Sequence, residues 1–175
     1  MSEIIIRPVT LDDAEALFAL RLDALQTNPE AFGANYEDTI KNWTAESYTA
    51  SRVPPVDSDS IIFCAELEGK LVGVMGFLRE KSTKTKHSGV IWGVFTKPSA
   101  RGQGIGKKLL QAIIDHARNC EGLAIINLTV ITENQAAIAL YEKMGFIAWG
   151  TQPDALRDGE KSYDELWMSY RIDLQ

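Results

Sequence analysis

The sequence predicts a single α/β domain, over residues 1–175, built around a mixed β-sheet. Three observations support this prediction. The first half contains apolar runs joined by a short polar turn, which is typical of a β-hairpin. The second half alternates strand-like and helix-like segments, which is typical of parallel strand pairs. The chain has 175 residues, of which 45% are hydrophobic, enough for one full core and short for two domains.

The N-terminal region is predicted to contain one strand and two helices. Residues 3–7 form the strand. Thr10 begins a helix with a capping-box-like sequence, and the helix ends at Asn28 because a proline follows. A second helical stretch is predicted over residues 35–50.

The middle of the chain is predicted to form three strands and a helix. Residues 60–67 and 71–79 are strands joined by a hairpin turn at residues 68–70. A third strand, residues 87–95, leads into a glycine-rich loop. The helix after the loop has an apolar stripe formed by Ile105, Leu109, Leu110, Ile113, Ile114 and Ala117.

The C-terminal region is predicted to complete the sheet. A strand over residues 123–130 precedes a helix that begins near Asn134. Two further strands cover residues 146–150 and 162–173, and residues 151–161 form a long polar connection between them.

The glycine-rich loop between the third strand and its helix is the most informative segment. Gly102, Gly104 and Gly106 alternate, so the backbone can turn with its N–H groups pointing inward and no Cβ in the way. The positive end of the following helix lies directly behind the loop. This arrangement predicts that the loop binds phosphate.

Two common phosphate-binding patterns do not fit this loop. A P-loop requires Ser or Thr after its Gly-Lys pair to bind Mg²⁺, and Lys108 stands there instead. A dinucleotide-binding turn requires G-x-G-x-x-G, and Lys107 occupies the place of the third glycine. The sequence therefore disfavours a nucleotide-phosphate protein of either kind.

A second informative segment, residues 134–146, has the sequence NQAAIALYEKMGF. It predicts a short helix with Asn134 near its start and Gly145 at the left-handed position that ends it. Asn134 and Tyr141 are seven residues apart, so they project from one helix face about 10 Å apart along the axis. One helix can thus contact an extended ligand at two points.

Together the two segments resemble the motifs of the GNAT superfamily of N-acetyltransferases. Arg101, Gly104 and Gly106 occupy the fixed places of its Gln/Arg-x-x-Gly-x-Gly/Ala loop. Residues 134–146 match its N-x-x-A-x-x-L-Y-E-K-x-G-F element at every fixed position. The resemblance covers nearly the whole chain and implies the GNAT fold, a mixed, mostly antiparallel central sheet of about seven strands flanked by about four helices.

The resemblance also implies a function: direct transfer of an acetyl group from acetyl-CoA to a primary amine in a ternary complex, with no metal. Asn134 would hydrogen-bond the pantetheine arm, and Tyr141 would lie beside the thioester sulfur and act as its general acid. Backbone amides at Phe95 and Thr96 would hold the pantetheine and the acetyl carbonyl. The other implied cofactor-binding residues are Arg101, Gly102, Gln103, Gly104, Ile105, Gly106 and Lys107. The alternative function is a non-catalytic module that senses acyl-CoA.

The general base is left open by the sequence. Several relatives in that family place a carboxylate on the strand before the loop, but residues 87–95 contain none. Candidates elsewhere are Glu66, Glu37, Asp38 and Glu133, and a water relay is a further alternative.

The segments expected to surround the acceptor contain more acidic than basic residues. An acidic entrance favours a small cationic amine, or the Lys or N-terminal amine of a peptide. The acidic residues are Glu37, Asp38, Glu46, Asp154, Asp158, Glu160, Asp164 and Glu165, against Lys41, Arg157 and Lys161.

The loop lies in the one long stretch of the chain without acids. None of the 24 Asp and Glu residues lies between residues 81 and 114, although this window holds seven Lys or Arg. Lys97, Arg101 and Lys107 flank the loop, as expected beside a polyanion. The lysines within residues 81–86 also fit a solvated hairpin tip.

Composition argues against several other classes of protein. A net charge of −6 argues against general nucleic-acid binding. No run approaches 18 apolar residues and no signal-peptide pattern precedes the first strand, so we expect no membrane span and a cytoplasmic location. Cys64 and Cys120 lie in apolar surroundings and are expected to be reduced and buried. A homodimer is compatible with the resemblance, because relatives in that family often pair through their late strands.

Overall fold

The computed structural model describes residues 3–55 and 58–172, and within these ranges it contains seven strands and five α-helices. The strands are β1 (Ile4–Pro8), β2 (Ile61–Leu67), β3 (Lys70–Arg79), β4 (Ser88–Thr96), β5 (Ile125–Ile131), β6 (Ile147–Asp158) and β7 (Lys161–Arg171). The helices are α1 (Ala14–Thr27), α2 (Tyr36–Asn42), α3 (Ala45–Arg52), α4 (Ile105–Arg118) and α5 (Gln135–Lys143).

All seven strands belong to one sheet with the order β1-β2-β3-β4-β5-β7-β6 in the described part of the chain. Every neighbouring pair is antiparallel except β4 and β5, which are parallel. The predicted mixed, mostly antiparallel sheet is therefore confirmed, and its single parallel pair lies at the centre.

The central strands β4 and β5 pair over only part of their length. Residues Ser88–Val90 pair with Ile125–Asn127, and no pairing between the two strands continues beyond that point in the described residues. An extra residue also bends β4, because Gly76 faces Trp92 whereas Val74 faces Phe95. Gly93 lies in this bulge in the left-handed conformation, which glycine adopts without steric cost. The two strands therefore separate and leave a gap in the middle of the sheet.

Helices cover both faces of the sheet and bury two hydrophobic clusters. On one face α4 contributes Leu109, Leu110 and Ile113, all fully buried, and α5 contributes Ile138 and Tyr141. On the other face α1 and α3 pack against β2 and β3. Both cysteines are free and buried, as predicted. The two clusters hold the edges of the gap in place.

The helix predicted over residues 35–50 is in fact two helices, α2 and α3. The break is at Trp43, whose backbone is extended and whose ring packs edge-on against Tyr48 at 6.1 Å. Thr44 then begins α3 through a capping box with Ser47. Sequence alone predicts a continuous helix, because no local pattern shows that packing the Trp43 ring against Tyr48 requires a break in the helix.

The polar connection predicted over residues 151–161 is also wrong, because β6 continues through most of it. The strand runs to Asp158 and pairs with β7 on both sides of an irregular stretch. There Asp154 accepts hydrogen bonds from the side chains of Arg157 and Ser162, and its backbone N–H donates to Asp164. These polar side chains satisfy the irregular backbone, so a segment with the composition of a loop folds as an edge strand.

Gly89 lies in the part of β4 that pairs with β5, and it offers a test of core packing there. A Cβ added there would overlap the Phe77 ring and lie 2.9 Å from the Leu78 carbonyl oxygen. Overpacking a buried site costs about 1–3 kcal/mol, so we expect Gly89→Ala to lower the midpoint of thermal unfolding by several degrees. Gly150→Ala is the matched control, since its Cβ would meet nothing within 4 Å. Equal unfolding temperatures for the two variants would contradict the packing described for this site.

Candidate active site

The gap between β4 and β5 opens into a cavity of about 380 Å³. Its walls come from five parts of the fold: both separated strands, the helices α1 and α3, residues 31–33 between α1 and α2, the helix α5 with its N-cap Asn134, and the strand β7. The polar and aromatic side chains that line it belong to Arg21, Phe32, Tyr48, Arg52, Trp92, Thr129, Asn134, Tyr141 and Glu165. It therefore combines apolar walls with a few charged groups, as ligand sites commonly do.

A second cavity of about 520 Å³ adjoins the first and extends toward the glycine-rich loop. The two share Phe32, Val94 and Asn134 among their lining residues. The second cavity also brings together the end of β4 and the start of the loop, namely Phe95, Thr96 and Arg101. An elongated ligand could thus lie along both cavities, from the loop to Tyr141.

The glycine-rich loop presents its backbone to solvent. Gly104 is the N-cap of α4 and adopts φ +76°, a left-handed conformation that glycine favours. The first α4 hydrogen bond is from the Lys108 N–H to the Gly104 carbonyl, and the N–H groups of residues 102–107 have no backbone acceptor within the described chain. A row of free donors in front of a helix N-terminus favours a bound anion.

Two of the basic side chains near the loop are held by the protein itself. Lys97 forms an ion pair with Asp23 at 2.9 Å, and Arg101 donates to the Thr96 carbonyl and to Asn28 Oδ1. Arg101 thereby ties the loop to the end of α1, whereas Lys107 and Lys108 are exposed. The lysines at residues 81–86 lie in an exposed turn between β3 and β4, as the hairpin-tip interpretation predicted.

Asn134 and Tyr141 occupy the predicted places on α5. The Asn134 side chain caps the helix by accepting from the Ala137 N–H at 3.2 Å. Gly145 ends the helix in the left-handed conformation. Both Asn134 and Tyr141 line the smaller cavity, so they share one helix face as their spacing predicted.

Tyr141 is 4% exposed and packs its ring against Phe146. Its hydroxyl has no hydrogen-bond partner among the described residues. Because burial disfavours the charged phenolate, it raises the pKa of Tyr141 to about 12. The side chain is therefore a protonated hydroxyl at neutral pH, available as a donor.

The predicted site residues fall into two groups. Phe95, Thr96, Arg101, Asn134 and Tyr141 line the two connected cavities. The others lie on the loop beyond the cavity walls, where the Ile105 side chain is buried in the core and its N–H lacks a backbone acceptor. These remaining loop residues are Gly102, Gln103, Gly104, Ile105, Gly106 and Lys107.

The carboxylates suggested as general bases lie in different places. Glu66 forms an ion pair with Arg7 at 3.1 Å and lines neither cavity. Glu37 and Asp38 lie in the first turn of α2, also outside both cavities. Glu133 lines the larger cavity. Glu165, which was not among these candidates, lines the smaller cavity together with Tyr141.

Sequence reasoning overlooked three charged residues of the smaller cavity as members of the site. The sequence predicts Glu165 only as one of the acids near the acceptor entrance, and no sequence feature marks Arg21 or Arg52 as part of the site. The other acids of that predicted acidic entrance line neither cavity. Separate helices supply the two arginines and a late strand supplies the acid, so no local pattern connects them.

The described residues include neither a metal-binding cluster nor a membrane-spanning helix. No group of three or more His, Cys, Asp or Glu side chains is placed to hold a metal ion. No helix there is long and apolar enough to cross a bilayer.

Comparison with known proteins gives consistent matches. Residues 19–146 match the model of the acetyltransferase (GNAT) family. The mycothiol acetyltransferase of Salinispora tropica is 30% identical over 138 residues, which cover 78% of this chain and 42% of that protein. The chain thus spans less than half the length of this curated relative.

Solved structures match over nearly the full length. An acetyltransferase of the GNAT family from Streptococcus pneumoniae has a TM-score of 0.84 and 28% identity, covering 97% of this chain and all of that one. The protein yncA of Salmonella typhimurium, whose structure contains its cofactor acetyl-CoA, has a TM-score of 0.82 and 22% identity, covering 99% of this chain and 96% of that one.

Proposed function

Since the chain belongs to the acetyltransferase (GNAT) family, we propose that it transfers an acetyl group from acetyl-CoA directly to a primary amine, with both substrates bound together. The observation that carries this proposal is the continuity of the site. Tyr141 lines the smaller cavity, which shares lining residues with the larger one. The larger cavity extends to Arg101, and the free loop amides follow directly after that residue. The acceptor is a small molecule or a peptide amine.

The residues present fit acetyl-CoA along this path. The free N–H groups of residues 102–107 would bind the pyrophosphate, since nothing lies within 4 Å of the position where Gly104 would carry a side chain. The edge of β4 that faces β5 is unpaired beyond Val90, so backbone groups near Phe95 and Thr96 could hold the pantetheine arm. Asn134 lines both cavities and would contact the arm through its amide.

The chemistry divides between the ligand and the protein. When bound, acetyl-CoA supplies a thioester, whose C–S bond breaks as a C–N bond to the acceptor amine forms. Tyr141 holds a proton at its hydroxyl oxygen and would donate it to the departing sulfur. Glu165 would accept the proton that the acceptor amine loses, directly or through a water. It is the carboxylate that lines the same cavity as Tyr141 among the described residues.

Two measurements test this proposal. Thermal unfolding should show that coenzyme A stabilises the chain whereas ATP and NAD do not, because only a ligand that prefers the native state raises its stability. Release of free thiol from acetyl-CoA should then be measured with polyamines, aminoglycosides, amino acids and peptides. Binding without turnover on any acceptor would instead favour a sensor of acyl-CoA.

The raised pKa of Tyr141 predicts the alkaline side of the pH profile. An acid with a pKa of about 12 stays protonated until the pH approaches that value. The turnover rate should therefore rise as the acceptor amine loses its proton and should not fall again below about pH 10. A profile measured from pH 6 to pH 10 checks this, and a loss of rate near pH 8 would exclude Tyr141 as the acid.

A further inference from the structure

Two arginines line the smaller cavity near Tyr141. Arg21 projects from α1, with its guanidinium 4.7 Å from the centre of the Phe32 ring. Arg52 ends α3, with its guanidinium 5.5 Å from the Tyr48 ring and 5.7 Å from the Trp92 ring. Stacking on aromatic faces restrains a guanidinium without using its N–H donors. The donors of both arginines therefore remain available.

Neither guanidinium has a hydrogen-bond or ion-pair partner within residues 3–55 and 58–172. No hydrogen bond or ion pair forms at either one, and the Nε of Arg21 is buried without an acceptor. Several other arginines pair with acids, as at Arg7, Arg79 and Arg118. Arg21 is half-buried, where an unpaired cation is costly unless an anion reaches it, whereas Arg52 is exposed. Burial lowers the pKa of Arg21; Tyr48 partly offsets this effect, and the neighbouring Arg52 adds to it.

A single carboxylate lies across the same cavity in the described chain. Glu165 belongs to β7, which pairs with β5 on the side away from β4, whereas α1 packs near β3. Its Oε1 accepts a hydrogen bond from Thr129 at 3.1 Å. The cavity thus has two positive groups on the side of α1 and α3 and one negative group on the side of β7.

We propose that the acceptor is an amine that carries a carboxylate, such as an amino acid, and that Arg21 and Arg52 bind this carboxylate. The planar guanidinium presents parallel N–H donors that match the two oxygens of a carboxylate. The acceptor nitrogen then lies on the side of Glu165 and Tyr141. This inference rests on the proposed function, because it identifies the acceptor of the same site.

The proposed acceptor replaces the cationic amine favoured by the acidic segments of the sequence. Of those acids only Glu165 lines the smaller cavity, and the two guanidiniums outnumber it. A polyamine would place additional positive charge beside both arginines. An amino acid would bring one negative group to the arginines and one amine to the acid.

The test compares acceptors that differ only in the carboxylate. Thiol release is measured with each of the L-amino acids and with its carboxamide. The carboxamide has the less basic amine and therefore more of the neutral nucleophile at a given pH, so chemistry alone favours it. We expect kcat/KM for the best free acid to exceed that of its carboxamide by about tenfold or more, since a hydrogen-bonded charge pair is lost in the carboxamide.

Substituting each arginine tests whether these two residues cause the preference for free acids over carboxamides. Arg52→Gln should lower kcat/KM for the free acid by about tenfold or more, mainly through KM, lower kcat/KM for the carboxamide by much less, and leave coenzyme A affinity unchanged. Arg21→Gln should act in the same way, with its fold checked by thermal unfolding. Arg118→Gln is the control, because Arg118 lies on the exposed side of α4 and pairs with Asp115.

The outcomes separate this inference from the proposed function. Turnover without a preference for free acids, or equal sensitivity of acids and carboxamides to Arg52→Gln, would overturn the inference and leave acetyl transfer in place. If no acceptor turns over although coenzyme A binds, acetyl transfer fails as the function. Titration of the same free acids into the chain loaded with coenzyme A then decides the inference. Binding weakened in Arg52→Gln supports it, and absence of binding overturns it.

Discussion

Gly104→Val is expected to weaken coenzyme A binding by at least about a hundredfold while the domain remains folded. Gly104 adopts φ +76° at the start of α4. A β-branched residue is strongly disfavoured in this conformation, so the loop must change its backbone angles. The change would redirect the free N–H groups of the loop. Hydrogen bonds to charged groups contribute about 1.5–3 kcal/mol each, so the loss of two accounts for an effect of this size.

Gly69→Val is the matched control for this variant. Gly69 lies in the turn between β2 and β3 with φ +73°, and like Gly104 it has nothing within 4 Å of its added Cβ. Both variants therefore impose similar backbone strain, but only one changes the loop. Isothermal titration with coenzyme A should show weak or absent binding for Gly104→Val and ordinary binding for Gly69→Val. Similar affinities in the two variants would mean that the loop does not hold the pyrophosphate.

Tyr141→Phe is expected to lower turnover by about tenfold or more with little change in coenzyme A affinity. General acid catalysis by a positioned group typically contributes a factor of about 10² to 10⁴. The variant removes only the hydroxyl, which has no hydrogen-bond partner among the described residues. The buried ring and its packing against Phe146 are retained. We therefore expect the loss in kcat without a fall in the temperature of unfolding.

Tyr170→Phe provides the comparison for the hydroxyl effect. Tyr170 also packs against Phe146, but its hydroxyl accepts a hydrogen bond from Arg118 outside both cavities. The turnover rate of the Tyr170→Phe variant should match that of the unmodified chain. Steady-state kinetics on a responsive acceptor measures both variants. If Tyr141→Phe kept full activity, the departing thiolate would need no proton from the Tyr141 hydroxyl.

Local features account for what was predictable about the loop and α5. The conformation of Gly104, the cap at Asn134 and the end of α5 at Gly145 each depend on residues close in sequence. The same holds for the shared face of Asn134 and Tyr141, because helix geometry fixes their separation. The cap, the end of α5 and the shared helix face were therefore predicted from the sequence at the correct residues, and a turn at the alternating glycines was predicted without its individual backbone angles.

The structure predicted from the sequence is wrong or incomplete where distant parts of the chain meet. The break at Trp43 depends on burying its ring beside Tyr48, which no local pattern reveals. Residues 151–161 have the composition of a loop, and only pairing with β7 makes most of them a strand. Both are cases in which tertiary contacts override local propensity.

The sequence by itself determined most of the order of elements, the position of the glycine-rich loop and the helix that carries Asn134 and Tyr141. It did so because glycine conformation, helix caps and helical spacing operate over a few residues. Only the tertiary structure decided that Arg21, Arg52 and Glu165 share a cavity with Tyr141. Their meeting depends on how α1 and α3 pack on the sheet and on where β4 and β5 separate. Such packing arises from contacts between residues far apart in the chain, and no single segment encodes it.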